Sequence, residues 1–102
     1  PLASPYEALI LASIIEKETG IEEERRRISG VLANRLRMNI PLQVDPTVIY
    51  GLGKDFDGDI RRRHLLTDGP YNTYTRRGLP PTPISNPTRS MLMFGLQRKE
   101  RP

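Results

Sequence analysis

The sequence contains no cysteine among its 102 residues, so it forms no disulfide bond, no thiolate nucleophile and no cysteine-ligated zinc site. It has no apolar run long enough to cross a bilayer, and the residues after Pro1 do not resemble a signal peptide. Three common signatures are also missing: a Ser-His-Asp order, a phosphate-binding glycine loop and zinc-ligand spacing. These absences exclude several enzyme classes, and the lack of cysteine is compatible with an extracytoplasmic protein.

The composition is that of a soluble globular domain, with 36% hydrophobic and 27% charged residues. At this length we expect a single domain over residues 1–102. The formal net charge of +4 favours anionic partners, which include nucleic acid, acidic lipid and anionic polymers. The way the sequence starts and ends suggests a part of a longer protein, so we expect any anchor or export signal to lie outside it.

Two helices are predicted at the N-terminal end. Ser4 can cap the first helix and Pro5 suits its first position, while Gly20 is a natural stop, so this helix is predicted from Pro5 to Thr19. A second helix follows, with three glutamates in its first turn and apolar residues at helical spacing. These residues are Glu22, Glu23, Glu24, Ile28, Val31, Leu32 and Leu36. A short connection makes the pair an αα-hairpin.

The chain changes character at about Met38 and becomes rich in proline, glycine, asparagine, aspartate and threonine. Residues 44–50 suggest a short strand, an extended piece or a short helix, and residues 71–75 have strong β propensity. A stiff loop at 78–83 and a final helix at 90–97 complete the prediction. We therefore predict an α+β fold, in which the N-terminal αα-hairpin packs against short β-strands and long ordered loops.

Glu18 is the candidate general acid. A helical period places it on the same side as Leu11, Ile14 and Ile15, at spacings of seven, four and three residues. A carboxylate against an apolar stripe is poorly solvated, so its pKa should rise, and a protonated carboxyl can donate to a leaving group. Glu16 falls almost opposite on the helical wheel, so the spacing favours Glu18. The alternative is a structural residue that accepts a hydrogen bond from a nearby arginine.

Two polar segments further along the chain are candidates for binding a sugar. Gln43, Asp45 and Thr47 would share one face of an extended segment, although a turn stabilised by Asp45 is an equal alternative. The second segment carries two tyrosines, whose rings stack on sugars, and an amide that fixes orientation. It consists of Tyr71, Asn72 and Tyr74. Its alternative is an ordinary strand with one buried and one exposed tyrosine.

Neither a metal nor a cofactor is predicted. Asp55, Asp57 and Asp59 faintly resemble a calcium loop, but Gly58 comes too early and Leu66 stands where the bidentate glutamate belongs. We therefore expect a solvated turn there. The lone histidine of the chain gives no metal site, and the arginine run before it is expected on a solvated face.

Five segments occur in an order that resembles the catalytic domain of the MltG (YceG-like) endolytic murein transglycosylases. They are ASIIEKET at 12–19, VLANRL at 31–36, LQVDPTVIYG at 42–51, YNTY at 71–74 and GLPP at 78–81. The resemblance covers about residues 9–87. Beyond it, the later Tyr-Phe strand and His-containing hairpin of the family are missing, so we expect a truncated catalytic core.

The resemblance implies a lytic transglycosylase that acts on peptidoglycan. Such an enzyme cleaves the β-1,4 bond between N-acetylmuramic acid and N-acetylglucosamine without water, because the muramic 6-hydroxyl attacks its own anomeric carbon. A 1,6-anhydro end results. The catalytic residue of the family is the second glutamate of Glu-Lys-Glu-Thr, here Glu18, which serves as acid and then as base. The candidate substrate-binding residues are Gln43, Asp45, Tyr71, Asn72 and Tyr74.

The resemblance also implies a cellular setting. The expected partners are peptidoglycan glycan strands and cell-wall synthesis enzymes, without nucleic acid. The full-length protein is expected at the extracytoplasmic face of the bacterial cytoplasmic membrane, held by an N-terminal anchor that this sequence does not contain. Three alternatives stay open: a peptidoglycan hydrolase with Asp45 as second carboxylate, a non-catalytic wall-binding module, and a basic nucleic-acid-binding module that uses the arginines at 25–27 and 61–63.

Overall fold

The computed structural model describes residues 4–85. Four α-helices lie in this range, and a 3₁₀ turn at Gly53–Asp55 follows the third. The helices are α1 at Pro5–Glu18, α2 at Glu22–Arg37, α3 at Asp45–Leu52 and α4 at Arg62–Leu66. No β-strand occurs between residues 4 and 85, so this part of the chain is all-α and the predicted α+β class is wrong. The helix predicted at 90–97 lies outside the described residues.

The start of α1 follows the sequence signals. The Ser4 hydroxyl accepts a hydrogen bond from the Glu7 backbone N–H at 3.2 Å, and Pro5 occupies the first turn. The helix ends one residue earlier than predicted, with Thr19 as its C-terminal cap. Three residues later α2 begins with three glutamates in its first turn, and it packs against α1 as the predicted αα-hairpin.

The chain reverses direction after α2 in a tight C-terminal turn. Asn39 has a left-handed backbone with a φ of 56°. The Ile40 N–H donates to the Arg35 carbonyl at 2.9 Å, and the Asn39 N–H donates to the Leu36 carbonyl at 3.1 Å. This is the Schellman pattern, in which asparagine is one of the few residues with a side chain that tolerate the left-handed position. The turn returns the chain to the core at Leu42.

The hydrophobic core is built mainly on one face of α1. Helix α2, the segment that leads into α3 and the last described loop each contribute one or two side chains to it. Its buried members are Ile10, Leu11, Ile14, Ile15, Leu32, Leu42, Val44 and Ile84. Burying each of these large side chains contributes about 1.5–3 kcal/mol before the entropy of ordering is subtracted. The core therefore fixes α1, and with it the C-terminal end of α1, relative to the loops.

A buried hydroxyl ties the last described loop to α1. Ser13 is fully buried, donates to the Ile10 carbonyl at 2.7 Å and accepts from the Ile84 N–H at 2.9 Å. Because a buried N–H without a partner costs free energy, this bond specifies where residues 78–85 lie.

Neither of the two segments in which a strand was considered forms one. Pro46 sits in the first turn of α3, where its fixed φ favours the helix, so residues 45–52 form the short helix that was one of the alternatives. In the second segment, the Asn72 side-chain carbonyl accepts from the N–H groups of Tyr74 and Thr75 at 2.8 and 3.2 Å. Those N–H groups are then not available to a neighbouring strand, which converts the segment into a turn.

Within residues 4–85, no helix is long and apolar enough to span a bilayer.

Candidate functional site

Glu18 is the last residue of α1 and lies where the helix leaves the core. The three apolar residues on its side are buried as predicted, namely Leu11, Ile14 and Ile15. Glu18 as a whole is exposed, so the stripe does not cover it, although the predicted rise of its pKa is found. The physical reason is its terminal position, since no helical turn follows to cover its side chain. Glu16, chosen as the contrast, is half-buried.

The carboxylate of Glu18 is nevertheless incompletely solvated. Partial burial raises the pKa of Glu18 above its ordinary value, and the negative charge of Asp45 raises it further. The exposed fraction describes the whole residue, whereas the pKa depends on what surrounds the two carboxylate oxygens. A group of this kind holds a proton more firmly than a free glutamate and remains accessible from outside.

Asp45 and Tyr74 complete the site. Asp45 is the first residue of α3, and its Oδ1 accepts a hydrogen bond from the Tyr74 hydroxyl at 2.5 Å. Burial, this hydrogen bond and the charges of Asp45 and Glu18 raise the pKa of Tyr74 to about 12. Tyr74 therefore stays protonated and acts as a donor. We call Glu18, Asp45 and Tyr74 the carboxylate–tyrosine cluster.

A pair of buried threonines brings two members of the cluster, Asp45 and Tyr74, together. The Thr73 hydroxyl accepts from the Val44 N–H at 3.0 Å and lies 2.9 Å from the Thr47 hydroxyl. The Thr73 carbonyl accepts from the Gln43 N–H at 3.0 Å. These bonds join the start of α3 to the 71–75 turn, so Asp45 meets Tyr74. Because α3 starts at Asp45, Thr47 points into the core, and its expected place on one face with Gln43 and Asp45 is wrong.

Asn72 supports the turn that carries Tyr74. Its side chain is buried, and its NH₂ group donates to the carbonyls of Leu65 at 3.1 Å and Thr67 at 2.7 Å. Its carbonyl accepts from the N–H groups of the turn, as described above. The amide is thus used by the backbone around it. The geometry favours a positioning role for Asn72, and its contact with substrate stays a prediction.

Tyr71 connects α3 to the last described loop. Its hydroxyl lies 2.7 Å from the Thr82 hydroxyl, and its ring lies 5.0 Å from the Tyr50 ring at 54°. A Cβ added at Gly51 would stand 2.9 Å from the Tyr71 Cβ, so this close approach requires glycine. Tyr50 is half exposed and was not among the predicted site residues, although two tyrosines side by side offer a surface on which a sugar ring can stack.

Arg35 is a second residue that the sequence reasoning missed. It lies in the last turn of α2, and its Nη1 donates to the Leu42 carbonyl at 2.5 Å. Its positive charge acts on Tyr74 and opposes the rise of the tyrosine pKa. In the sequence, Arg35 was explained as a cation that interacts favourably with the C-terminal end of the α2 dipole. Its position inside the VLANRL segment was the signal that could have drawn attention to it.

The acidic loop and the histidine lie outside this cluster. Arg61 Nη1 is 3.0 Å from Asp57 and its Nη2 is 3.6 Å from Asp59, so an arginine is the cation that the loop holds. His64 Nδ1 accepts from the Arg61 N–H at 2.9 Å and caps α4. In the part of the chain that the structure describes, no group of three or more acidic, histidine or cysteine side chains could hold a metal ion.

Comparison with known proteins now decides the family. A profile described as the YceG-like family matches residues 1–100. The chain belongs to the YceG-like family. An endolytic murein transglycosylase from Bacillus subtilis strain 168 is 45% identical over 83 residues, which are 81% of this chain and 23% of that protein. An endolytic murein transglycosylase from Streptococcus pneumoniae strain D39 is 36% identical over 86 residues, 80% of this chain and 16% of that protein.

A solved structure agrees with this membership. The crystal structure of a YceG-like protein from Listeria monocytogenes has a TM-score of 0.72 and 45% identity, over 83% of this chain and 28% of that chain. The family expected from the five segments is thereby confirmed. This YceG-like chain spans less than a quarter of the length of the two relatives described above.

Proposed function

We propose that this chain is the catalytic part of a peptidoglycan lytic transglycosylase that cleaves the β-1,4 bond between N-acetylmuramic acid and N-acetylglucosamine. Glu18 is the general acid and then the general base. The observation that carries the proposal is an accessible carboxyl whose pKa is raised by partial burial and by Asp45. The relatives named endolytic murein transglycosylases support the choice of substrate.

One carboxyl group is enough for this chemistry. Glu18 donates its proton to the glycosidic oxygen while the bond from that oxygen to the anomeric carbon breaks. The resulting carboxylate then takes the proton of the muramic 6-hydroxyl. As that proton leaves, the 6-oxygen forms a bond to the same anomeric carbon. The reaction leaves a 1,6-anhydro end, consumes no water and returns the proton to Glu18.

The rest of the cluster supplies charge. The anomeric carbon becomes positive in the transition state, and a fixed carboxylate nearby stabilises that charge. Asp45 is the available carboxylate, and the Tyr74 hydroxyl fixes one of its oxygens. Tyr74 does not lose its own proton, since its pKa is about 12. We assign Asp45 and Tyr74 to binding and stabilising the sugar at the cleaved bond.

The same proposal gives the chain its setting. Its substrate is the glycan strand of peptidoglycan, so we place the whole protein at the extracytoplasmic face of the bacterial cytoplasmic membrane. Enzymes that synthesise the cell wall are its candidate protein partners, because they make the strands that it would cut.

A second function is favoured by one observation. The charge of Asp45 acts on Glu18, so the site holds two interacting carboxyl groups, and enzymes that hydrolyse glycosides also use a pair of carboxyl groups. In that case Asp45 would activate water or attack the sugar, and the product would carry a reducing end. The chemistry of the new chain end separates the two functions.

The test is digestion of purified sacculi with the 102-residue chain, followed by mass spectrometry of the products. We expect 1,6-anhydromuramic ends from the unaltered chain and none from Glu18→Gln. Glu16→Gln is the matched control on the same helix and should retain most of the activity. Reducing ends in place of anhydro ends would support the hydrolase, and equal loss in both variants would remove the basis for assigning the acid to Glu18.

A further inference from the structure

Gln43 combines an unfavourable backbone with an unused side chain. Its φ is 56°, in the left-handed region that a side chain with a Cβ disfavours. Asn39 shares this φ, but asparagine tolerates the region and there ends α2 in a recognised turn. Neither explanation applies to Gln43, since glutamine does not favour this region and Gln43 does not end a helix. Its side chain is exposed and, within residues 4–85, takes part in no hydrogen bond.

The backbone around Gln43 is held firmly in place. Leu42 and Val44, its two neighbours, are both buried in the core. The Gln43 N–H donates to the carbonyl of Thr73, the residue before Tyr74. The left-handed conformation is therefore imposed by long-range contacts and directs the side chain outward, two residues before Asp45. Backbone strain that the surrounding structure holds in place is found most often at binding and catalytic sites.

We propose that the side-chain amide of Gln43 recognises the 2-acetamido group of a sugar bound beside Asp45. This inference rests on the proposed function, since it assumes an N-acetylated glycan as substrate. The glutamine amide is matched to an acetamido group because its NH₂ group can donate to the acetamido carbonyl and its carbonyl can accept from the acetamido N–H. Gln43 would then determine specificity for N-acetylated sugars over plain glucans.

The test compares two neutral β-1,4 hexasaccharides that differ at carbon 2. Chitohexaose carries acetamido groups, and cellohexaose carries hydroxyl groups in their place. Binding is measured by isothermal titration calorimetry in a Glu18→Gln parent, which prevents turnover. We expect the parent to prefer chitohexaose. Gln43→Ala in that parent should bind chitohexaose about tenfold more weakly, as expected for one lost hydrogen bond, and cellohexaose equally well.

A second substitution separates recognition from strain. Gln43→Gly removes the amide and also accepts the left-handed backbone, so it should lose the same sugar preference while raising the urea midpoint of unfolding. The inference is overturned if the parent shows no preference, if Gln43→Ala keeps it, or if that variant weakens both sugars equally. Failure of the proposed function looks different, since it would appear as absent anhydro ends in the sacculus digestion.

Discussion

Replacing Thr73 by valine should destabilise the chain more than the same change at Thr47. The two threonines are buried side by side and both hydroxyls interact with the Val44 carbonyl, at 3.1 Å from Thr73 and 3.0 Å from Thr47. They differ in one respect. Only Thr73 also accepts a backbone hydrogen bond, from the Val44 N–H at 3.0 Å. Valine matches the shape of threonine but offers no acceptor.

The magnitude follows from counting which groups lose a partner. In Thr73→Val the buried Val44 N–H is left without an acceptor, which costs about 1–3 kcal/mol, and loss of the hydroxyl contacts adds about 1 kcal/mol. The total is about 2–4 kcal/mol. In Thr47→Val the remaining Thr73 hydroxyl still serves both the N–H and the carbonyl of Val44. That variant should therefore lose only about 0.5–1.5 kcal/mol.

The assay is equilibrium unfolding in urea, followed by far-UV circular dichroism. Both variants should unfold at lower urea concentrations with an unchanged m-value, and Thr73→Val should unfold first. Thr73→Ser keeps the hydroxyl and is the control for the lost oxygen. If Thr73→Val costs no more than Thr47→Val, the Val44 N–H does not depend on Thr73, and our account of how Asp45 is brought to Tyr74 is wrong.

Two further predictions concern stability. The pKa of Glu18 in the folded state lies above its ordinary value of 4.5. The protonated Glu18 carboxyl therefore makes its full contribution to stability below pH 4.5, and this contribution is lost as the pH rises through the folded-state pKa. Glu18→Gln should therefore be more stable than the parent at pH 7, by less than about 1 kcal/mol because Glu18 is exposed. In urea unfolding measured at several pH values, this difference in stability should vanish below about pH 4. An advantage that grows towards acid pH would contradict this sign. Gly51→Ala should destabilise by about 1–3 kcal/mol in thermal unfolding, since its Cβ would meet the Tyr71 Cβ at 2.9 Å. Gly30→Ala is the matched control, because a Cβ added there within α2 would meet no atom of another part of the chain within 4 Å. That variant should stabilise by about 0.5–1 kcal/mol, and equal effects of the two changes would show that the approach to Tyr71 is not tight.

The α+β prediction failed for a specific reason. Residues 71–75 contain tyrosine and threonine, which favour strands only where a neighbouring strand exists for them to pack on. Here the side chain of Asn72 takes the N–H groups that such a neighbour would need. The pattern of β-forming residues was visible, but the hydrogen-bond partner that cancelled it was a side chain within the same segment.

Local signals determined the helical hairpin. The Ser4 cap, the apolar stripe of α1 and the acidic start of α2 all act within a few residues, so the sequence predicted them, and the five ordered segments identified the family. Glu18 was selected by the same local period. What the period could not give was its exposure, since that depends on where the helix ends relative to everything packed around it.

Tertiary structure alone decided how the site is assembled. Asp45 and Tyr74 are 29 positions apart, and the buried contacts of Thr73 with Val44 and Thr47 bring them within hydrogen-bonding distance. The roles of Arg35 and the left-handed backbone of Gln43 arise in the same way. Contacts between distant segments depend on the packing of the whole domain, because no local preference fixes which buried polar groups satisfy one another.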